Sequence, residues 1–261
     1  MPASRRPRLL AAATLLLLPL TACADPTGAR EGGPRTAPPA VRDDRGPAAH
    51  GAPATPVAPP AAPVPARIPG LGPETRAAIP RDSRQAVVVR GDAPDSDTST
   101  FTLYERHPTE GWQQVSDPWP AHNGVKGWTG HHVQDDLRSP IGVFGLTDAG
   151  GLLPDPGTKL PYDQGDGFTA TGTGTMGEPL AGSFDYVVAI NYNRRPGTTP
   201  LDWTRPLGEH RGGGIWIHVD HDGPTQGCVS LTKPHMRELL QWLDPAHRPV
   251  IVMGDVTSLG R

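Results

Sequence analysis

Interruption is what most limits the folds open to this chain: 33 prolines and 32 glycines fall within 261 residues. Proline removes a backbone donor and breaks helices, and glycine weakens the interiors of helices and strands alike. A chain punctuated this often has to build its core from short segments joined by turns. The punctuation is also uneven. From Ala24 to about Pro69 the chain is almost wholly Pro, Ala and Gly with mixed charges, as in Ala52-Pro53-Ala54-Thr55-Pro56. With no apolar periodicity, such a stretch cannot bury enough surface to offset its ordering entropy, so residues 23–69 read as a disordered tether. At ~3.1 Å per extended residue, roughly forty such residues reach on the order of 100 Å.

Ahead of the tether, Arg5, Arg6 and Arg8 precede an apolar run from Leu9 to Leu18 and then small residues before Cys23. This is the three-part order of a secretory signal, and the run falls short of the about 20 residues that a spanning helix needs. Leu20-Thr21-Ala22-Cys23 has the form of a lipoprotein cleavage site, so residues 1–22 are expected to be a signal peptide and Cys23 the lipidated N-terminus. The protein is then exported and anchored by its lipid to the outer face of the cell membrane. That use of Cys23 leaves Cys228 as a thiol without an intramolecular partner in an oxidising compartment, where an idle thiol is a liability.

Residues 70–261 are long enough for one domain with a substantial core. A formal charge of −3 carries no basic footprint for nucleic acid. The pattern is mostly β. Strands are expected at Ala86–Arg90, Phe101–Glu105, Trp112–Val115, Asp185–Tyr192, Gly214–Val219 and Pro249–Met253, each bounded by Gly, Pro, Asp or Asn. Pro73–Ile79 reads as a short turn of helix. Pro234–Leu243 reads as the one full helix, with Met236, Leu239, Leu240 and Leu243 on a common stripe. The stretch Thr147–Gly182, dense in Gly, Thr, Asp and Pro, reads as a lid or cleft wall docked through Tyr162, Phe168 and Met176. Trp112, Trp119 and Trp128 read as packing residues ahead of a sugar platform.

The chemistry concentrates around Cys228, in Gly223-Pro224-Thr225-Gln226-Gly227-Cys228-Val229-Ser230, ten residues after His218. A cysteine does acyl-transfer chemistry as a thiolate, which calls for a base or a positive microenvironment. His218 is the base candidate, with His221 as its rival. Alternation along Gly214–Val219 sends Ile215, Ile217 and Val219 to the core and leaves Trp216 and His218 facing solvent or a cleft. Gly227 lets the backbone approach a substrate carbonyl, so that amides near Cys228 serve as oxyanion donors. Trp216, Thr225, Gln226 and Ser230 are the candidate substrate contacts. A metal reading would draw on His218, Asp220, His221 and Asp222 with a further ligand from His210, His131 or His132; no zinc spacing supports it. No metal and no organic cofactor are expected.

Ile217-His218-Val219 followed by Thr225-x-Gly227-Cys228-Val229, with Arg138-Ser139-Pro140-Ile141-Gly142-Val143-Phe144 upstream, resembles the YkuD-like L,D-transpeptidases of bacterial cell walls. The resemblance spans about Gln85 to Asp255. It implies a β-sandwich of mixed sheets with one or two short helices, and an enzyme acting on peptidoglycan stem peptides. Cys228 would form a thioester with the donor stem, and His218 would move the protons, its ring oriented by the carbonyl of Val219. A neighbouring stem's amine would then resolve the thioester into a 3→3 cross-link. The chain departs from the family pattern in having Gln226 before Gly-Cys where a histidine is usual, Ser230 where Arg or Asn is usual, and a shorter His–Cys interval. These differences fall on recognition of the substrate carboxylate. Two alternatives share the sequence: an L,D-carboxypeptidase or cysteine amidase that resolves the thioester with water, and a non-catalytic wall-binding lipoprotein.

Overall fold

The computed structural model describes residues Ala66–Arg261. The signal peptide expected at 1–22, Cys23 and the tether expected at 23–69 lie outside the described residues up to residue 65; residues 66–69 do not read as tether, because Ala66 bridges to Gly111 and Ile68 is buried in the core. In chain order the elements are α1 (Pro73–Ala78), β1 (Gln85–Gly91), β2 (Thr98–His107), β3 (Gly111–Gln114), β4 (Trp119–His122), β5 (Trp128–Thr129), β6 (Ser139–Pro140), β7 (Gly142–Gly151), β8 (Tyr162–Gln164), β9 (Val187–Ile190), β10 (Trp216–Val219), β11 (Val229–Leu231), α2 (Lys233–Trp242), β12 (Val250–Asp255) and α3 (Val256–Leu259). The domain is mostly β. Its main sheet runs β1-β12-β7-β9-β10-β11-β4-β2-β3, with β8 paired to β7, and a further β1–β2 pairing joins the sheet back on itself. The layers of the sandwich are therefore continuous through their hydrogen bonds. β1 runs parallel to β12, β10 to β11 and β7 to β8, while β7 pairs antiparallel to β12 and β9, β9 to β10, and β2 to β1, β3 and β4, so the sheet is mixed.

Alternation decides what each strand buries. Val87, Val89, Phe101, Leu103, Ile190, Ile217 and Ile251 point into the main core, which α2 completes with Met236, Leu239 and Leu240. The outward residues of β1 and β12, Ala86, Val88, Val250 and Val252, are covered in turn by Ile68, Leu71, Ile79 and Leu259. Strands buried on both faces read as continuous apolar runs, which is why Ala86–Val89 and Val250–Met253 were plain in the sequence. α2 is capped by Thr232, whose side chain accepts from the His235 amide, and Leu239, Leu240 and Leu243 are fully buried.

The sequence pattern missed β7. Its second half, from Thr147, occupies residues expected to begin a loop, and its Gly-Val-Phe-Gly-Leu-Thr-Asp-Ala-Gly-Gly content hides a central strand. Its glycines serve close packing. A Cβ at Gly150 would lie 2.5 Å from the Asp163 carbonyl oxygen, and one at Gly151 would lie 2.2 Å from the Asp185 carbonyl oxygen. Its buried Asp148 is neutralised by Arg194 at 2.8 Å. Beyond β7 the remaining segment docks as a wall, though not through all three expected groups. Phe168 is buried and Tyr162 Oη donates to the Leu153 carbonyl, whereas Met176 is exposed at the tip of a hairpin-like flap.

Candidate active site

Register brings the two candidate residues together. In the parallel pair β10–β11, Ile217 lies opposite Val229 and His218 opposite Ser230, so the residue beside Trp216 is Cys228. Trp216, His218, Cys228 and Ser230 thus share one face, with His218 and Cys228 on a diagonal. Strands about 4.8 Å apart with a two-residue step of about 6.6 Å give a Cα separation on the order of 8 Å, within the reach of two side chains that lean toward each other. Both residues line one cleft of about 290 Å³, together with Thr225, Gln226, His221 and Phe184.

That face of β10 is not open to solvent. Phe168, Phe184, Leu152 and Leu201 cover it, packing Trp216 and the flank of Cys228 into a small apolar cluster of their own. Phe184 stands edge-on to both Trp216 and His218. Trp216, expected as a substrate contact, is instead buried behind the nucleophile and does not line the cleft, and its backbone N–H donates to Cys228 Sγ at 3.4 Å. The sulfur faces the Gly214 carbonyl on its other side, at 3.6 Å.

His218 is 3 % exposed, and its Nδ1 lies 2.9 Å from the Val219 carbonyl oxygen. A carbonyl only accepts, so Nδ1 carries the proton and the lone pair is on Nε2. Burial pushes the imidazole down to about 4, against a smaller upward pull from that hydrogen bond. It pushes the Cys228 thiol up to about 11, partly offset by the Trp216 N–H. The pair therefore rests neutral. The sequence pattern pointed to a thiolate at rest; desolvation by the aromatic cover opposes it.

The nucleophile turn is held by hydroxyls. Thr225 Oγ1 donates to the Cys228 carbonyl at 2.7 Å and accepts the Gly227 amide at 3.1 Å. The Gly227 N–H is thus engaged with Thr225, and the contribution of Gly227 in this state is conformational, at φ 148°. From the other side Ser139, fully buried on β6, donates to the Gly227 carbonyl at 2.8 Å. Ser139 belongs to the upstream Arg138–Phe144 segment, and this bond is the physical link between the two separated motifs. Its role was invisible in sequence because the partners are 88 positions apart in the chain.

The other candidates divide. Gln226 lines the cleft, whereas Ser230 is fully buried and donates to Asp220 Oδ1 at 2.7 Å, a carboxylate that also meets His122 Nδ1 at 2.9 Å. Ser230 is thereby turned to holding the end of β10. His221 lines the cleft and stacks on His218 with ring centroids 5.7 Å apart, and its Nδ1 lies 3.1 Å from Glu178 Oε1 of the flap. His132, read from sequence only as a remote metal ligand, forms part of the opposite wall, with Nδ1 2.9 Å from Asp136 Oδ1.

The family model of the YkuD L,D-transpeptidase catalytic domain matches residues 100–252, and the chain belongs to that family. It is an L,D-transpeptidase-type protein of peptidoglycan. A comparison with curated proteins found no match.

Proposed function

We propose that the domain transfers acyl groups between peptidoglycan stem peptides through a thioester on Cys228 and forms 3→3 cross-links. The supporting observation is that a thiol and an imidazole line one cleft, the Nε2 lone pair of the imidazole being kept free by the Nδ1–Val219 hydrogen bond. As Sγ attacks the carbonyl of the donor's third, L-centred residue, the thiol proton passes to His218 Nε2. The developing oxyanion collapses, the C–N bond breaks, and His218 returns that proton to the departing D-alanine amine. The acceptor amine then attacks the thioester and gives its proton to His218; sulfur leaves and is reprotonated. A neutral resting pair suits this sequence, because each proton moves only as charge develops.

Release to water shares the first half of this scheme. Product analysis of tetrapeptide stems with and without an amine acceptor tests the assignment. Cross-linked dimer that appears only with acceptor supports transpeptidation, and tripeptide alone under both conditions makes the protein a carboxypeptidase. We further propose export and lipid anchoring at Cys23, supported by the apolar Leu9–Leu18 run and Leu20-Thr21-Ala22 before the cysteine.

A further inference from the structure

The three tryptophans weighed from sequence are occupied. Trp119 stacks on Phe101 and His235, Trp128 is buried, and Trp112 lies under the Arg106 guanidinium. Trp203, in the loop between β9 and β10, is 65 % exposed. A singly exposed ring is ordinary by itself, so its bearing on function rests on where it stands.

A Cβ built on Gly214 would lie 3.2 Å from the Trp203 ring, so the indole rests against the backbone of a residue that lines the cleft and whose carbonyl faces Cys228 Sγ. The Arg205 guanidinium lies 5.4 Å from the centre of the ring. The same group donates to Gln134 Oε1 at 2.9 Å, and Gln134 is on the cleft wall. Arg205 also runs over Gly213, where a Cβ would meet its Nε at 3.1 Å. Trp203 is thus fixed at the mouth of the cleft by a built contact, with most of its indole still accessible.

We propose that Trp203 and Arg205 form a glycan subsite, which binds the sugar strand that carries the donor stem. This rests on the peptidoglycan reading of the cleft. A stem peptide is covalently tied to its glycan, so a peptide seated at Cys228 must lead out past the rim to a sugar. The apolar C–H face of a pyranose ring suits a flat indole, and a guanidinium beside it donates to the acetamido or lactyl carbonyls. The subsite adds affinity for polymer over free peptide and leaves the chemistry at sulfur unchanged.

Calorimetric titration of the full-length Cys228→Ala protein, which cannot turn substrate over, tests this with three probes: disaccharide–tetrapeptide, sugar-free tetrapeptide and peptide-free glycan chains. Adding Trp203→Ala should weaken the disaccharide–tetrapeptide and the glycan by about tenfold, the upper range for one aromatic contact, and leave the sugar-free peptide unchanged. Trp203→Tyr should restore most of the loss. Thermal melting confirms the fold, which an exposed side chain does not hold up. Equal Kd values for the glycan probes with and without Trp203, or an equal loss on all three, would overturn the subsite. Binding of both sugar-bearing probes through Trp203, with no binding of the sugar-free tetrapeptide and no contribution of the stem to the disaccharide–tetrapeptide, would keep the subsite and refute the stem-peptide reading instead.

Discussion

At the scale of single residues the site is set by desolvation working against charge. His218 is buried where its cation is disfavoured, so the folded imidazole refuses a proton that the unfolded one accepts near pH 6.5. Its contribution to stability is present above about 6.5 and is lost as pH falls through about 4, worth on the order of 3 kcal/mol. His218→Asn, which keeps a donor toward the Val219 carbonyl but cannot titrate, should flatten the fall in unfolding free energy between pH 7 and pH 4; urea titrations at the two pH values read the difference. The same depression moves the acid limb of kcat/KM to about 4, well below the ordinary histidine value. Thr225 acts by geometry. Thr225→Val keeps the shape but leaves the Gly227 N–H and the Cys228 carbonyl without their partner, a cost of about 1–3 kcal/mol. Activity should fall further than stability because the sulfur is displaced, and Thr225→Ser should recover both. Melting curves set beside initial rates check this.

At the scale of elements the flap around Glu178 is a wall of the cleft built outside the main sheet. It is closed on itself by a Thr173–Pro179 bridge and by Met176 N–H donating to Glu178 Oε2 at 2.8 Å, and it reaches the site through Glu178 and His221. Glu178→Ala should raise KM about fivefold with a smaller change in kcat, since it frees a wall and not the nucleophile. Gly223→Ala should give the same split, because its Cβ would sit 2.6 Å from Glu178 Oε1 and push the carboxylate off His221. Steady-state kinetics on both variants tests the link. These elements also mark where sequence was legible. β1, β12 and α2 announce themselves because a segment buried on two faces must be apolar throughout and a helix buried on one must repeat every third or fourth residue. Cys228 and His218 stood out as chemistry-bearing residues near each other in the chain. β7 did not, because its glycines answer to neighbours far off in sequence, and neither did Ser139, Phe184 or Glu178, which reach the site from other strands and loops. Tertiary packing divides the face of β10 that alternation left to solvent or a cleft: His218 lines the cleft with Cys228, while Phe168 and Phe184 cover Trp216, a partition that strand periodicity cannot carry.

At the scale of the whole molecule, a closed mixed sheet holds a buried thiol–imidazole pair under an aromatic cover, and we propose that a lipid-anchored tether presents it to the wall. Cys23→Ala should move the protein from the membrane to the soluble fraction without altering the activity of the domain, which fractionation followed by assay checks. The account centres on covalent catalysis at Cys228. Its most direct test is the mass of the Cys228-bearing peptide after the protein meets a tetrapeptide donor without acceptor and is quenched in acid within one turnover. The expected result is an adduct on Cys228 equal to the donor less its terminal D-alanine, absent in Cys228→Ala and slow to form in His218→Ala. Turnover of the donor with no such adduct at any time, or undiminished turnover by Cys228→Ala, would contradict it.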